Sequence, residues 1–432
     1  MATNPLRSKL IRSKLSRVGL IVLEIAVFLV LTWRVTRVFL ADLAARNVDA
    51  ASLQRAIRLD PRNSEYHLRL GRLTQYSITE VNPDLAMEHL RRATELNPRD
   101  PQAWLELSAA FGFQGNVAQA EACLRRADKL APNLPSIQWV VGNFFLLQGN
   151  TDEAFKHFKV TLAGTPKYDQ ILFRTAWKAS DDGKKILEEL IPRQASTEFR
   201  YLHYLLGEKR LAEALAVWKR IAAGPETFPP TRATLLMDRL FAAHLAGDAM
   251  QVWNDLRRKG LIQPTYQPTA QNLLVNGDFE EDILNAGFDW RIASVEGVQV
   301  APDGSNFHSP SRALQISFGG KSNLNFFGVY QFVKVEPNRA YRLKAFLKTD
   351  GITTDSGPRL RVYDAYDARQ LQKFSESLTG TSGGWNQVVL DFTTGPLTEL
   401  VIVGVARVPS SKLDNRIAGR VWVDDVNLVP LP

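Results

Sequence analysis

Between residues 50 and 260 the apolar positions recur every three or four residues, the period of amphipathic helices, and short polar turns interrupt them at regular intervals. The turns end in prolines: Pro98, Pro132 and Pro166 lie 34 residues apart. Between the first two the order is Trp104, Leu107, Ser108, Phe111, Gly115, Ala120, Leu124, Ala127; the next interval gives Gln138, Val141, Gly142, Phe145, Gly149, Ala154, Phe158, Thr161. Small residues at Ala120, Gly142 and Ala154 allow two antiparallel helices to approach closely. Larger residues fill the space between successive units, and each proline ends a helix because it cannot donate to the preceding turn. The pattern predicts a stack of helical hairpins, an architecture whose usual task is binding.

This pattern resembles the tetratricopeptide repeat, W-x₂-L-G-x₂-Y followed by A-x₃-F and P. An earlier copy carries Leu70, Gly71, Ala86, Leu90, Ala93 and Pro98, with a spacing of 37 from Pro61 to Pro98 that implies about three inserted residues near 77–83. Ala56, Leu59 and Pro61 read as the second helix of a still earlier unit. After Pro166 helical periodicity persists through Phe199–Ile221 and Thr231–Leu256, but the glycine and proline slots are lost, as expected of degenerate capping units. A solenoid over 42–262 is expected. From their places in the repeat, Arg72, Gln102, Leu105, Trp139 and Asn143 are candidates to line a groove for a protein or peptide partner, with Trp139 alternatively packing between hairpins.

Ahead of the repeats, Val18–Trp33 is apolar except for Glu24 and Thr32, and residues 1–17 hold Arg7, Lys9, Arg12, Lys14 and Arg17 with no acid. A basic tail over 1–17 and a membrane anchor over 18–40 are expected, with Arg17 and Arg34 reaching toward the headgroups. The rival is a cleaved signal peptide, disfavoured because Arg34 and Arg37 intervene before Ala41. The charge bias predicts a cytoplasmic N-terminus and a bulk outside the cytoplasm, periplasmic or extracellular. The same tail explains most of the formal charge of +8: it contributes five positive charges, and the +3 remaining is no footprint for nucleic acid. The single cysteine, Cys123, excludes an intrachain disulfide and a CxxC motif, and its place in a repeat helix predicts a small buried hydrophobe.

Beyond a linker over 263–271, with Pro264 and Pro268, the period changes to that of strands: Leu314–Phe318, Val329–Val335, Tyr341–Lys348, Arg359–Tyr363, Gln387–Phe392, Val401–Arg407 and Val421–Leu428. An antiparallel sandwich over 272–432 is expected, so the fold class is multidomain: a transmembrane helix, an all-α solenoid and an all-β sandwich. Alternation sends Tyr341, Leu343, Ala345 and Leu347 to one face and Phe346 to the other; by the same parity Arg361 and Tyr363 face away from Leu360 and Val362.

The phrases NLLVNGDFE (272–280), GFDW (287–290), GGWNQVVLDFTT and the closing VWVDDVNL (421–428) together resemble the jelly-roll domains of carbohydrate-binding module families 4 and 9, within the galactose-binding-like superfamily. The resemblance implies polysaccharide binding on an exposed concave sheet, for which Phe346, Arg361, Tyr363 and Tyr366 are the candidates, while Trp290, Tyr341 and Trp385 pack in the core. It also implies a structural calcium joining the two ends through Glu280 and Asp424; the alternative is that these are solvent-exposed turn acids.

Catalytic signals are lacking: there is no HExxH or GxSxG, and the six histidines are scattered. GGKS at Gly319–Ser322 lacks the first P-loop glycine, Gln315 standing there, and reads as a strand turn. The expectation is a scaffold without enzymatic activity, anchored in the envelope and serving surface-glycan assembly or export. The alternatives are a purely protein-binding assembly factor, or an accessory subunit of a glycosyl-transfer enzyme.

Overall fold

The computed structural model describes residues 14–79 and 81–432; the expected basic tail lies largely outside the described residues. Two compact units divide the chain, one up to Thr197 and one from Glu198 to Pro432.

The first unit begins with α1 (Lys14–Ala45), followed by α2 (Ala50–Leu59), α3 (Ser64–Tyr76), α4 (Pro83–Leu96), α5 (Pro101–Phe113), α6 (Val117–Leu130), α7 (Pro135–Leu147), α8 (Thr151–Gly164) and α9 (Asp169–Ala179), with a short turn of helix over Gly183–Lys185 that continues through Ile186–Leu190. The helices pair as hairpins. Asp49, Asn63, Asn82, Asp100, Asn116 and Asn150 cap the N-termini of α2 to α6 and α8 with their side chains, and proline stands in the first turn of α4, α5 and α7, where its missing N–H costs nothing. Gly142 shows why the repeat needs a small residue there. A Cβ on it would stand 2.4 Å from the Phe158 ring of the facing helix, and one on Gly71 would stand 2.6 Å from Leu90.

The apolar run and the first repeat are one continuous helix. Within α1, Val18–Ala45 is long and apolar enough to cross a membrane, as a span or as a signal sequence. Its last turns belong to the repeat core: Ala41 and Ala45, 0% and 3% exposed, pack with Leu53, Ala56, Tyr66 and Leu70. Arg37 donates to the Leu59 carbonyl at 2.7 Å and Tyr66 donates to the Asp42 carboxylate.

The second unit joins the last helices to the sheets. It holds most of α10 (Ala195–Gly207), then α11 (Leu211–Ala223), α12 (Thr234–Ala242) and α13 (Ala246–Arg258). Next come β1 (Arg291–Ile292), β2 (Val298–Asp303), β3 (Ala313–Gly319), β4 (Phe326–Lys334), β5 (Ala340–Asp350), β6 (Arg359–Asp364), β7 (Gln372–Phe374), β8 (Asn386–Thr393), β9 (Leu400–Arg407) and β10 (Ala418–Pro430). Two antiparallel five-stranded sheets, ordered β1-β4-β9-β6-β7 and β2-β3-β10-β5-β8, close over one apolar core that includes Trp290, Leu314, Val329, Leu343, Val403 and Val423.

The helices group with the sheets instead of ending with the solenoid at 262, and the packing gives the reason. The Phe241 ring of α12 stacks on Phe332 of β4 with centroids 4.6 Å apart, and meets Phe288 edge-on at 5.1 Å. Arg291 donates to Asp238 at 2.6 Å. Gly287, at φ +55°, brings the loop so close to α13 that a Cβ would stand 2.6 Å from the Trp253 ring. His244 stacks on Tyr366 at 3.8 Å.

Candidate binding surfaces

The solenoid candidates converge on a residue that sequence reasoning passed over. Glu106 of α5 is 6% exposed, and its carboxylate accepts from Gln102 Nε2 at 2.9 Å and from the Tyr76 hydroxyl at 3.1 Å while pairing with Arg72 Nε at 3.1 Å. Burial and the neighbouring carboxylate push the Tyr76 phenol up to about 12, keeping it a donor. Arg72 and Gln102 are therefore held in place by a buried anion linking α3 to α5, not free-standing liners. The available signal was a glutamate inside the apolar run AWLELSAAF. Leu105 is half-buried on the same helix. Trp139 stacks on Tyr168 of the next unit at 5.0 Å and lies tilted against Phe158 at 5.7 Å, the packing between hairpins that was its alternative, and Asn143 donates to the Trp139 carbonyl in its own helix. Cys123 is buried, and burial pushes its thiol up to about 11, so it stays neutral.

On the sandwich, the four expected sugar-contacting residues do not share a surface. The parity reading holds for each strand: Tyr341, Leu343, Ala345 and Leu347 are buried and Phe346 faces out; Leu360 and Val362 are buried and Arg361 and Tyr363 face out. But β5 and β6 belong to different sheets. Phe346 lies on the opposite outer face, stacked under His308 at 3.7 Å, and Trp385, expected in the core, is half-exposed and meets His308 edge-on. Tyr366 is taken up by His244. Trp290 and Tyr341 are core residues, 0% and 2% exposed.

What remains is a platform on the β4-β9-β6-β7 face. Strand register aligns Tyr330, Gly404, Arg361 and Phe374 in one row across four strands. Gly404 has no side chain to fill the middle, and a Cβ there would stand 2.1 Å from the Val329 carbonyl oxygen. Across this gap the Arg361 guanidinium lies over three rings: Tyr363 at 4.3 Å, Phe327 at 5.0 Å and Phe374 at 5.3 Å. Phe327 stacks on Tyr330 at 5.7 Å. All five side chains are partly exposed, so an aromatic surface with a cation over its rings faces outward. In the next row, Phe332–Ile402–Tyr363, Phe241 covers the Phe332 end.

Glu280 and Asp424 both reach the segment His308–Arg312, but as acceptors. Glu280 accepts from the backbone N–H of Ser311 and Arg312 at 3.0 and 3.1 Å and from the Ser311 hydroxyl; Asp424 Oδ2 accepts from His308 and Ser309 N–H at 2.7 and 3.0 Å, and Oδ1 from Asp425 N–H at 2.8 Å. Burial pushes the Asp424 carboxyl up to about 6 despite these donors. Calcium requires six to eight oxygen ligands. A pair of carboxylates already faced by N–H groups does not fit that shell, and no group of three His, Cys, Asp or Glu suited to a metal occurs among the described residues. The two ends are tied to a shared loop by hydrogen bonds where a calcium bridge was expected.

The tetratricopeptide-repeat family matches at residues 82–135 and 110–169, so the chain carries these repeats over its middle helices. Such repeats imply protein–protein interaction or a scaffold role. No curated protein matches the chain. Among solved structures, one titled as the crystal structure of MamA is 19% identical, covering 40% of this chain and 84% of that one at a TM-score of 0.28. A structure of PilF from Pseudomonas aeruginosa is 17% identical, covering 52% and 91% at 0.26. The enzymatically active domain of tailspike protein 4 of bacteriophage CBA120 is 18% identical, covering 37% and 21% at 0.27. These likenesses are weak, and the repeat assignment stands on the family match and the hairpin packing.

Proposed function

We propose that this chain is a membrane-anchored envelope scaffold that holds a protein partner in its repeat solenoid and a polysaccharide on its sandwich, in the assembly or export of a surface glycan. It acts by tethering and not by catalysis. The observation that carries the polysaccharide half is the open row Tyr330–Gly404–Arg361–Phe374 with the Phe327 and Tyr363 rings beside it: sugar rings present flat C–H faces that stack on aromatics, and a cation held over those rings suits an acidic sugar. The test is affinity electrophoresis in gels containing uronic-acid or neutral glycans. The wild-type chain should be retarded, and Tyr363→Ala with Phe327→Ala should lose at least about 2 kcal/mol of binding, about thirtyfold, if each stacked ring contributes 1 kcal/mol or more. Unchanged migration of the wild type in every glycan would remove this half of the proposal.

The packing of the last turns of α1 supports a retained anchor. Cleavage after the apolar run would fall within residues 34–45 and cut α1 inside or beside the turns that carry Ala41 and Ala45, which pack against Leu53 and Tyr66. The mature protein should therefore keep residues 14–45 by intact-mass measurement and stay with the membrane in carbonate; a mature form starting anywhere after Trp33 would overturn the anchor. The stacking of His244 on Tyr366 and Phe241 on Phe332 favours a second reading, in which the sandwich is a protein-packing module alone. The same electrophoresis separates the two.

A further inference from the structure

Helices α3 and α4 form one hairpin, and they face each other through two histidines. His67 Nδ1 lies 2.9 Å from His89 Nδ1, with the ring centroids 5.1 Å apart. His67 is 6% exposed and His89 half-buried, at the edge of a surface depression also lined by Asp84, Glu88 and Glu95. The other nitrogen of His67, Nε2, is 3.3 Å from the Pro61 carbonyl oxygen. A carbonyl only accepts, so this contact places the proton of neutral His67 on Nε2 and leaves a lone pair on Nδ1, aimed at His89. A backbone carbonyl gripping the far nitrogen is also the usual support of a metal-binding imidazole.

We propose that His67 and His89 form a binding site for a divalent transition metal of the copper or nickel type, clamping α3 to α4. With metal–nitrogen bonds of about 2.0–2.1 Å, two nitrogens at this separation subtend about 90° at the metal. That is the angle between neighbouring ligands in tetragonal Cu(II) and Ni(II) sites. In the metal-free pair His89 Nδ1–H donates to His67 Nδ1; on binding, the His89 proton sits on Nε2 and both Nδ1 lone pairs meet the cation. No third His, Cys, Asp or Glu completes a cluster among the described residues, so water fills the remaining positions. The depression is also lined by Arg91 and Arg92; Arg92 pairs with Glu95 at 2.9 Å and Arg91 lies over the Phe111 ring.

The test uses the full chain in detergent, without an affinity tag, titrated with Cu(II) from a glycine-buffered stock. One equivalent should bind with two-nitrogen hyperfine structure in its electron paramagnetic resonance spectrum and raise the Tm, because a ligand bound only to the folded state stabilises it. His89→Gln, on the more exposed partner, should weaken binding on the order of tenfold or more and abolish the Tm rise, while circular dichroism of the metal-free variant stays native. His67→Gln should do the same to binding. Full-affinity Cu(II) binding in either variant, or no bound equivalent in the wild type, would overturn the site.

Discussion

A fragment of residues 270–432 is expected to unfold well below one of residues 198–432, although the sequence alone places a complete sandwich after residue 271. Cutting at 270 removes Phe241, Met237 and Trp253, and so uncovers Phe288 and Phe332 and the loop at Gly287. Re-exposing each phenylalanine costs about 1.5–3 kcal/mol. It also breaks the ion pair between Asp238 and Arg291, whose side chain is only 13% exposed in the intact unit. Together these come to about 5 kcal/mol, comparable with the whole stability of many domains. At about 2–4 °C per kcal/mol for a unit of this size, the Tm should drop by roughly 10–20 °C, if the fragment folds at all. Thermal unfolding followed by circular dichroism checks this. Equal Tm values would show that the helices and the sandwich are energetically separate.

The second large effect is a pH dependence centred on Asp289. This carboxyl is 0% exposed beside Trp290. Oδ2 accepts from Leu284 N–H at 2.6 Å, and Oδ1 is buried. Burial pushes the group up to about 7, against 3.8 in the unfolded chain. The folded state thus holds its proton more tightly than the unfolded one. The stabilisation is full below pH 3.8 and is lost as pH rises through about 7. The shift corresponds to about 4 kcal/mol in all, of which about 2–3 falls between pH 5 and 8. Asp424, raised to about 6, works in the same direction, whereas His203, lowered by burial, contributes stability above 6.5 that acid removes. Comparison with Asp289→Asn isolates the one group: Asn keeps an acceptor for Leu284 N–H and carries no charge. The variant should match the wild type at pH 5 within about 2 kcal/mol and exceed it at pH 8. Parallel stability–pH curves from denaturant unfolding would rule out a buried titrating carboxyl.

Much of this protein was legible in the order of its residues. The 34-residue period required stacked hairpins because Gly142 and Ala154 leave room for a facing helix and Pro98, Pro132 and Pro166 end one. β-rich runs between turn residues identified the core strands, and alternation along β5 and β6 told which side chains turn inward. The strands not anticipated, β1, β2 and β7, are edges: short, polar or carrying Pro302, they bury too little to leave a pattern. Alternation states which way Phe346 and Tyr363 point along their own strands, but not that β5 and β6 lie in different sheets, because sheet membership is set by pairing between segments far apart in the chain. The same holds for Glu106, which gathers Arg72, Gln102 and Tyr76 from two repeats, and for Glu280 and Asp424, whose acceptor role depends on where a third segment runs. Local physics fixed the elements and their buried faces; only the tertiary structure decided which outward faces stay open, since that depends on whether Phe241 and His244 happen to cover them.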